Sequence, residues 1–573
     1  MKKNTLQKVL SVSLIGTMAI TMLAGCGSEQ SAQTEANTTE AATEKTTEAE
    51  PIKEVEEVEV KEEAGMASWT KFDQTVTLQV PVYDRGGEVD VTNNYWTKWI
   101  QENFGDTYNI NVEYVAIPRG DVLNAYANLA NSGSLPTILM EYDFPKQAQW
   151  ADDGYLQELD LDQLAQIAPT YYQMIVDQGN LQNTALNGTT YFALAERPYW
   201  NNTYNYATFY RADWLEQLGL EYPQTFADRV NVYKAIKDAG LCDYPAGGSK
   251  IAGAGVDQNY GFRTYPQDEY TWATTGDYAI PALSTEAQKK LIKRENQLFN
   301  DGYLNPEFYT RETTDNEADF IAGKCFEYRA YIAPSIAVLD SFYEQNSDAK
   351  LAIAVCPGLV VDDEGVSNSY RPNNGFGMMV SFSATAKPEE VKAGMMYMEW
   401  LMQPENLFTF QYGFEGETFD YVDGLPVMRD LTGTEYAMAN NNKDYFCIVV
   451  ESKTLGEIEK DVKLNAPVNY PDSDDFYTQL LQNYSGMVAM ADSGYVNSDC
   501  NFAVAITAVT DYQQVLLDKY SEYRTKLTTC SPDEFDSLYE QYSQEYLDAG
   551  YQAVIDERGE AYKNGYTSKL PEK

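Results

Sequence analysis

The stretch Lys387 to Gly424, KPEEVKAGMMYMEWLMQPENLFTFQYGFEGETFDYVDG, decides how the chain is read. Pro388 suits a first helical position, where its missing N–H is not needed, and Glu389 and Glu390 stand at the positive end of the helix that follows. Val391, Met395, Met398 and Met402 recur at i, i+4, i+7 and i+11, which predicts one apolar helical face. Pro404 breaks that helix and leads into a second, shorter one. Phe414-Glu415-Gly416-Glu417 then reads as an acidic turn of a kind that glycine makes cheap.

Outward from this segment, composition sets limits. The chain has 573 residues, enough for two or more domains, and a hydrophobic content of 44% allows a sizeable core. Its 87 acidic and 41 basic residues give a net charge of −46, which argues against nucleic acid, since phosphate binding needs clustered Lys and Arg. It contains no histidine, which excludes a Ser-His-Asp triad, a His-ligated zinc and a histidine general base. Tyr (45) and Trp (8) are abundant, and aromatic faces are surfaces on which sugar rings stack, although ordinary core and surface packing accounts for most of them.

The N-terminus has a basic Met1-Lys2-Lys3 followed by the apolar run Val9 to Leu23, the pattern of a signal peptide. It ends Leu23-Ala24-Gly25-Cys26, which resembles the lipobox of bacterial lipoproteins. That resemblance implies a signal peptide over 1–25, lipidation (palmitate included) of the Cys26 thiol and a lipid anchor in the membrane. Ser28 to Gly65 carries twelve Glu, three Lys, six Thr and no aromatic residue, so 26–68 is expected to be a disordered acidic Thr/Glu linker. The alternation from Ile52 to Val60 hints at a strand or amphipathic segment, but its like charges oppose that. Cysteines 242, 325, 356, 447, 500 and 530 show no CxxC or other metal spacing. Buried free thiols are expected, with disulfides open as the alternative.

Thr75 to Val82 and Ile110 to Ile117 alternate polar and apolar, as half-buried strands do. A helix capped by Asn93 or Asn94 lies between them, another opens at Asp121, and Pro136 to Met140 is a third apolar run. Strand, helix, strand, helix, strand predicts a parallel α/β sheet, with ligands beyond the carboxyl ends of its strands. Those ends carry Tyr83-Asp84-Arg85 and Glu141-Tyr142-Asp143. Phe209 to Phe226 reads as a strand, a helix closed by Leu218-Gly219, and a new helix opened by Thr225 with Asp228 in a near capping box. Ser531-Pro532-Asp533-Glu534 likewise predicts a capped helix that presents Phe535, Leu538, Tyr542 and Tyr546 on one face. The Asp362-Asp363-Glu364-Gly365 turn lacks the EF-hand spacing, so no metal and no cofactor are expected.

Five segments together carry a family resemblance. They are Trp150 to Asp160; the Asn187-Gly188-Thr189-Thr190-Tyr191 hairpin; Tyr210-Arg211 through Leu218-Gly219 to Pro223-Gln224-Thr225; Phe320-Ile321-Ala322-Gly323-Lys324; and the helix-break-turn around Pro404 and Glu415. In this order they resemble family 1 extracellular solute-binding proteins, the capture subunits of ABC sugar importers. One departure is Leu194, where the family's hairpin usually has proline. The resemblance implies an α/β fold of two lobes, the type II periplasmic-binding-protein fold, with three interlobe crossings and a helical C-terminal part. Lobe 1 is expected over 69–205 and 376–415, and lobe 2 over 206–375 and 416–573.

The implied function is capture of a carbohydrate, an oligosaccharide by preference, through lobe closure, and its delivery to an ABC permease. The protein would be a monomer, not an enzyme, lipid-anchored on the outer face of a Gram-positive cell membrane. Candidate ligand contacts are Asp84, Arg85, Glu141, Trp200, Tyr204, Trp272 (read as a loop aromatic), Tyr328, Arg329, Asn374, Phe376 and Glu415. Three rival readings stay open, one of them an orphan sensor or adhesin that keeps the fold without a transporter. A cell-surface glycoside hydrolase needs only two carboxylates, which an acidic chain supplies freely. A binding protein for peptides or another non-sugar solute would share the fold.

Overall fold

The computed structural model describes residues 54–198, 206–247, 268–276, 280–355, 360–362, 365–367, 374–453, 455–464, 473–492 and 500–567. Cys26, Trp200, Tyr204, Cys356, Asp363 and Glu364 lie outside the described residues.

The alternation in 75–82 is realised as the strand Val76–Asp84, which runs parallel to Ile110–Pro118 with Val76 opposite Ile110 and Asp84 opposite Pro118. The helix Tyr95–Ile100 opens the crossover. Asn94 caps it by accepting from the N–H groups of Trp96 and Thr97, while Thr97 returns a bond to the Asn94 N–H. The third expected strand, Ile138–Glu141, does not extend this parallel ladder. It pairs antiparallel with Met379–Phe382, whose other edge takes Ala193–Leu194. Pairing between residues more than 200 positions apart is invisible to a local pattern. The two sheets meet where the Gln79 N–H donates to Thr137 Oγ1 at 3.2 Å. Asn187 and Gly188 form the hairpin turn between Ala185–Leu186 and Thr189–Thr190, both with left-handed backbone.

A separate three-stranded antiparallel sheet has Tyr206–Arg211 at its centre, flanked by Glu327–Tyr331 and Leu351–Ile353. Gly219 closes the helix Ala212–Leu218 in the left-handed conformation, and Thr225 and Asp228 make the reciprocal capping box of Phe226–Asp238, both as expected. The helices Glu269–Thr275, Glu286–Asn300, Thr507–Thr529, Phe535–Tyr546 and Gln552–Lys563 share a further core. Phe535–Tyr546 departs from expectation at its start: Glu534 is its N-cap and no side chain caps it. Phe535, Tyr539 and Tyr546 are its buried residues, whereas Leu538 and Tyr542 are partly buried against the same core.

The helix Pro388–Met402 is buried far more widely than one stripe. Ten residues from Val391 to Leu401 are enclosed, and Met402 lies at the margin. Gly394 permits this, because a Cβ there would stand 2.6 Å from the Phe382 ring. Glu399, 2% exposed on this helix, caps a different one. Its carboxylate accepts from Thr170 N at 3.0 Å, Thr170 Oγ1 at 2.6 Å and Tyr171 N at 3.2 Å, at the start of Pro169–Asp177, whose own N-cap Ala168 cannot do so. The Phe414–Glu417 turn after the second helix forms as expected, with Glu417 N donating to the Phe414 carbonyl at 3.1 Å and Gly416 at φ +79°. Gly413 has φ +81°, and Thr418 Oγ1 sits where its Cβ would be, accepting from Phe414 N and donating to the Tyr412 carbonyl.

Two expectations about segment limits change. Residues 54–61 of the acidic segment are not a loose tether. Val55, Val58 and Val60 pack on the first core, the Val55 backbone exchanges two hydrogen bonds with the Gln182 side chain, and Val58 N donates to Tyr172 Oη at 2.6 Å. Over 54–60, Val55, Val58 and Val60 turn inward and Glu54, Glu56, Glu57 and Glu59 stay in water, so their like charges do not prevent docking. Tyr445 to Val450 also belong to the first core, so that core continues well past Glu415. Cys242, Cys325, Cys447, Cys500 and Cys530 are free thiols, all but the half-buried Cys530 buried.

Candidate functional site

Three chain segments that pass between the cores lie side by side. Ala195 N donates to the Met378 carbonyl at 2.8 Å and Gly377 N returns to the Ala195 carbonyl at 2.9 Å. On the other edge, Glu196 N donates to Val449 O at 2.9 Å and Glu451 N to Glu196 O at 2.8 Å. Gly377 allows the approach: a Cβ there would lie 3.2 Å from both the Glu196 carbonyl oxygen and the Glu451 Cβ.

Polar side chains collect around this crossing. Lys443 Nζ holds Glu451 Oε1 at 2.9 Å, while Arg197 Nη2 stands 3.8 Å from Glu451 Oε2. Arg85 grips Asp444 through Nε and Nη2 at 2.8 and 2.9 Å, and Asn440 Nδ2 reaches the same carboxylate at 2.8 Å. The pair is lopsided, with Arg85 42% exposed and Asp444 3%. Asn440, Asn441 and Asn442 lead into it with three consecutive left-handed residues, a conformation that Asn tolerates better than most. Burial, then the charge of Glu451, holds the Tyr142 phenol well above the ordinary range. Burial also raises the carboxyl groups of Glu196 and Asp143. Lys453, half-buried with its amine 4.8 Å from the Tyr412 ring centre, is pulled down to about 8 by burial.

Of the residues picked from the sequence, Arg85, Asn374 and Phe376 come to this region. Phe376 is enclosed in the first core, and the buried Asn374 Oδ1 has no hydrogen-bond partner among the described residues. Asp84 is exposed and accepts from Gly86 N in a local turn, and Glu415 is exposed on its turn. Glu141 is buried and already satisfied: it accepts from Tyr83 Oη and from the backbone N–H groups of Tyr142 and Asp143. Its place at a strand end serves the strand. Trp272 is not a loop aromatic. It sits in the helix Glu269–Thr275, 2% exposed within the C-terminal core. Tyr328, 6% exposed, stacks on Phe320 and Phe209 and donates to Glu317, so it too is core. Arg329 follows it on the strand, half-buried and opposite Thr208. Arg197, Lys443, Asp444, Glu451 and Lys453 were missed by the sequence reading. Two signals stood nearby: Glu196-Arg197-Pro198 immediately before the aromatic run at 199–206, and the Asn triplet before Lys443-Asp444.

Among the described residues, no group of three or more metal-ligating side chains could hold an ion, and no helix is long and apolar enough to cross a membrane. The fold matches solved structures along their whole length. A protein of Bifidobacterium longum infantis described as an HMO binding ABC-transporter associated solute binding protein aligns with a TM-score of 0.59 at 15% identity, over 86% of this chain and 99% of that one. The alginate-binding protein AlgQ2 without calcium ion gives 0.56 at 16% identity, with the same two coverages. These likenesses bear out the two-lobed α/β fold. In sequence, the polygalacturonan/rhamnogalacturonan-binding protein YtcQ of Bacillus subtilis is 23% identical over 244 residues, 41% of this chain and 46% of that protein, so the match spans under half of the relative's length. The profile of the bacterial extracellular solute-binding protein family matches residues 90–406, more than half of the chain. On that match, which contains the first two passages between the cores, the chain belongs to the bacterial extracellular solute-binding protein family.

Proposed function

We propose that this protein captures a carbohydrate, an oligosaccharide by preference, by closing its two lobes, and delivers it intact to an ABC importer permease. The observation that carries the reading is the three-segment crossing at Ala195–Arg197, Gly377–Met378 and Val449–Glu451, with buried polar atoms of Arg197, Asn374 and Glu451 that have no hydrogen-bond partner among the described residues. Groups left unpaired beside a hinge suit ligand hydroxyls, and closure then follows from contacts made in the closed state. The names of the relatives point the same way: one binds polygalacturonan and rhamnogalacturonan, another alginate.

In this reading Arg85, Asn374 and Arg329 contribute polar contacts, with Trp200 and Tyr204 from the aromatic run. The third passage between the lobes falls at Glu451, in place of Glu415. The protein acts as a monomer without catalysis, tethered on the outer face of the cell through lipid on Cys26. A thermal-shift screen of mono- and oligosaccharides, with peptides as controls, tests it. Ligand at 100 times Kd adds about 2.7 kcal/mol. A shift with one glycan series, recovered uncleaved, is expected. A shift with peptides alone would refute the carbohydrate reading, and cleaved glycan would refute transport.

A further inference from the structure

Among the described residues, the enclosed Nε of the Arg197 guanidinium has no hydrogen-bond partner. Its side chain is 10% exposed, and its one ion-pair neighbour among the described residues, Glu451 Oε2, is 3.8 Å away. Glu451 is meanwhile committed through its other oxygen to Lys443 at 2.9 Å. One carboxylate therefore faces two cations, leaving the trio with a net positive charge. This occurs in a chain with 87 acidic residues against 41 basic ones, where a carboxylate to pair with a buried arginine is the easiest thing to supply.

Leaving such donors unpaired in a buried setting is costly, more so for a charged group. A planar, bidentate acceptor is what a guanidinium fork matches best. The position is also right for a ligand. Glu196 bridges Val450 in parallel, so Arg197 lies level with Glu451, at the point where the chain leaves the first core. Lys453 follows two residues beyond Glu451, and its amine has no carboxylate or hydrogen bond among the described residues.

We propose that Arg197, supported by Lys453, forms an anion subsite that takes a carboxylate of the ligand, so that the cargo is an acidic, uronate-bearing oligosaccharide and not a neutral one. This rests on the carbohydrate reading and narrows it. Lys443 holds Glu451 back, which keeps the guanidinium available.

The test is calorimetric titration of the full-length protein in detergent with trigalacturonate and trimannuronate, each beside its carboxyl-reduced neutral counterpart, and with neutral cello-, manno- and fructo-oligosaccharides. An acidic trimer is expected to bind and its reduced counterpart to lose about 100-fold in affinity, the scale of an unpaired buried charge. R197Q should lose a similar factor toward the acid, K453M a smaller one, and the acid's affinity should fall with added salt. The reduced-ligand comparison needs no variant, so it stands even where R197Q fails to fold. Binding of neutral sugars alone, with affinity unchanged in R197Q, would overturn the subsite and leave carbohydrate capture intact. Binding of no saccharide at all would overturn both.

Discussion

Glu399 offers a direct test of how the fold is held together. Substituting Glu399→Ala removes the acceptor for Thr170 N, Thr170 Oγ1 and Tyr171 N, at the first turn of a helix whose N-cap is Ala168. Loss of a helix cap costs about 0.5–2 kcal/mol, and each buried donor left unpaired about 1–3 kcal/mol. Some of these donors will recruit water, so a loss of about 3 kcal/mol is expected. Glu399→Gln keeps one acceptor oxygen and should lose about half of that. Burial raises the Glu399 carboxyl above the ordinary glutamate range, against the pull of its hydrogen bonds. The folded chain therefore keeps the proton to higher pH than the unfolded chain. This group's contribution is greatest below the ordinary range and declines as pH rises through the raised value. The Gln variant has no proton to lose and should lack that slope. Equilibrium urea unfolding followed by tryptophan fluorescence across pH 4–8 measures both effects. A Glu399→Ala variant within 0.5 kcal/mol of the parent, or a parent whose stability relative to Glu399→Gln rises with pH, would refute the reasoning.

Two further outcomes follow from the geometry. Gly377→Ala places a methyl group 3.2 Å from the Glu196 carbonyl and the Glu451 Cβ, between segments hydrogen-bonded on both edges, so a loss of about 1–3 kcal/mol in a thermal melt is expected, with weaker binding of whichever glycan the screen identifies. Val58→Asp puts a charge in the row docked on the first core; limited proteolysis should then cut within 54–61, which the parent protects, while melting of the rest changes by under about 1 kcal/mol.

Local chemistry was legible wherever a residue's role is played out among its neighbours. Thr225 with Asp228, the left-handed Gly219, the Asn187-Gly188 hairpin and the Gly416 turn all follow from backbone conformations that only certain residues adopt cheaply. The order of such segments carried the family, and through it the two-lobed α/β fold. Periodicity failed where it was asked about depth. It gave Pro388–Met402 one buried face, whereas packing within the first core buries nearly the whole circumference.

The site was far less legible. Chemistry by residue type marked Trp272 and Tyr328 as ligand faces, but aromatic rings serve a core equally well, and enclosure by helices and rings from other parts of the chain decided the matter. It passed over Arg197 and Glu451, which stand 254 positions apart and meet only because two crossing segments run side by side. By itself the sequence determined which backbone turns, caps and strands could form, since those depend on residues a few positions apart. Which charges find partners and which are left unpaired was decided by tertiary structure alone, because pairing requires two side chains within about 4 Å, a distance that chain order does not encode.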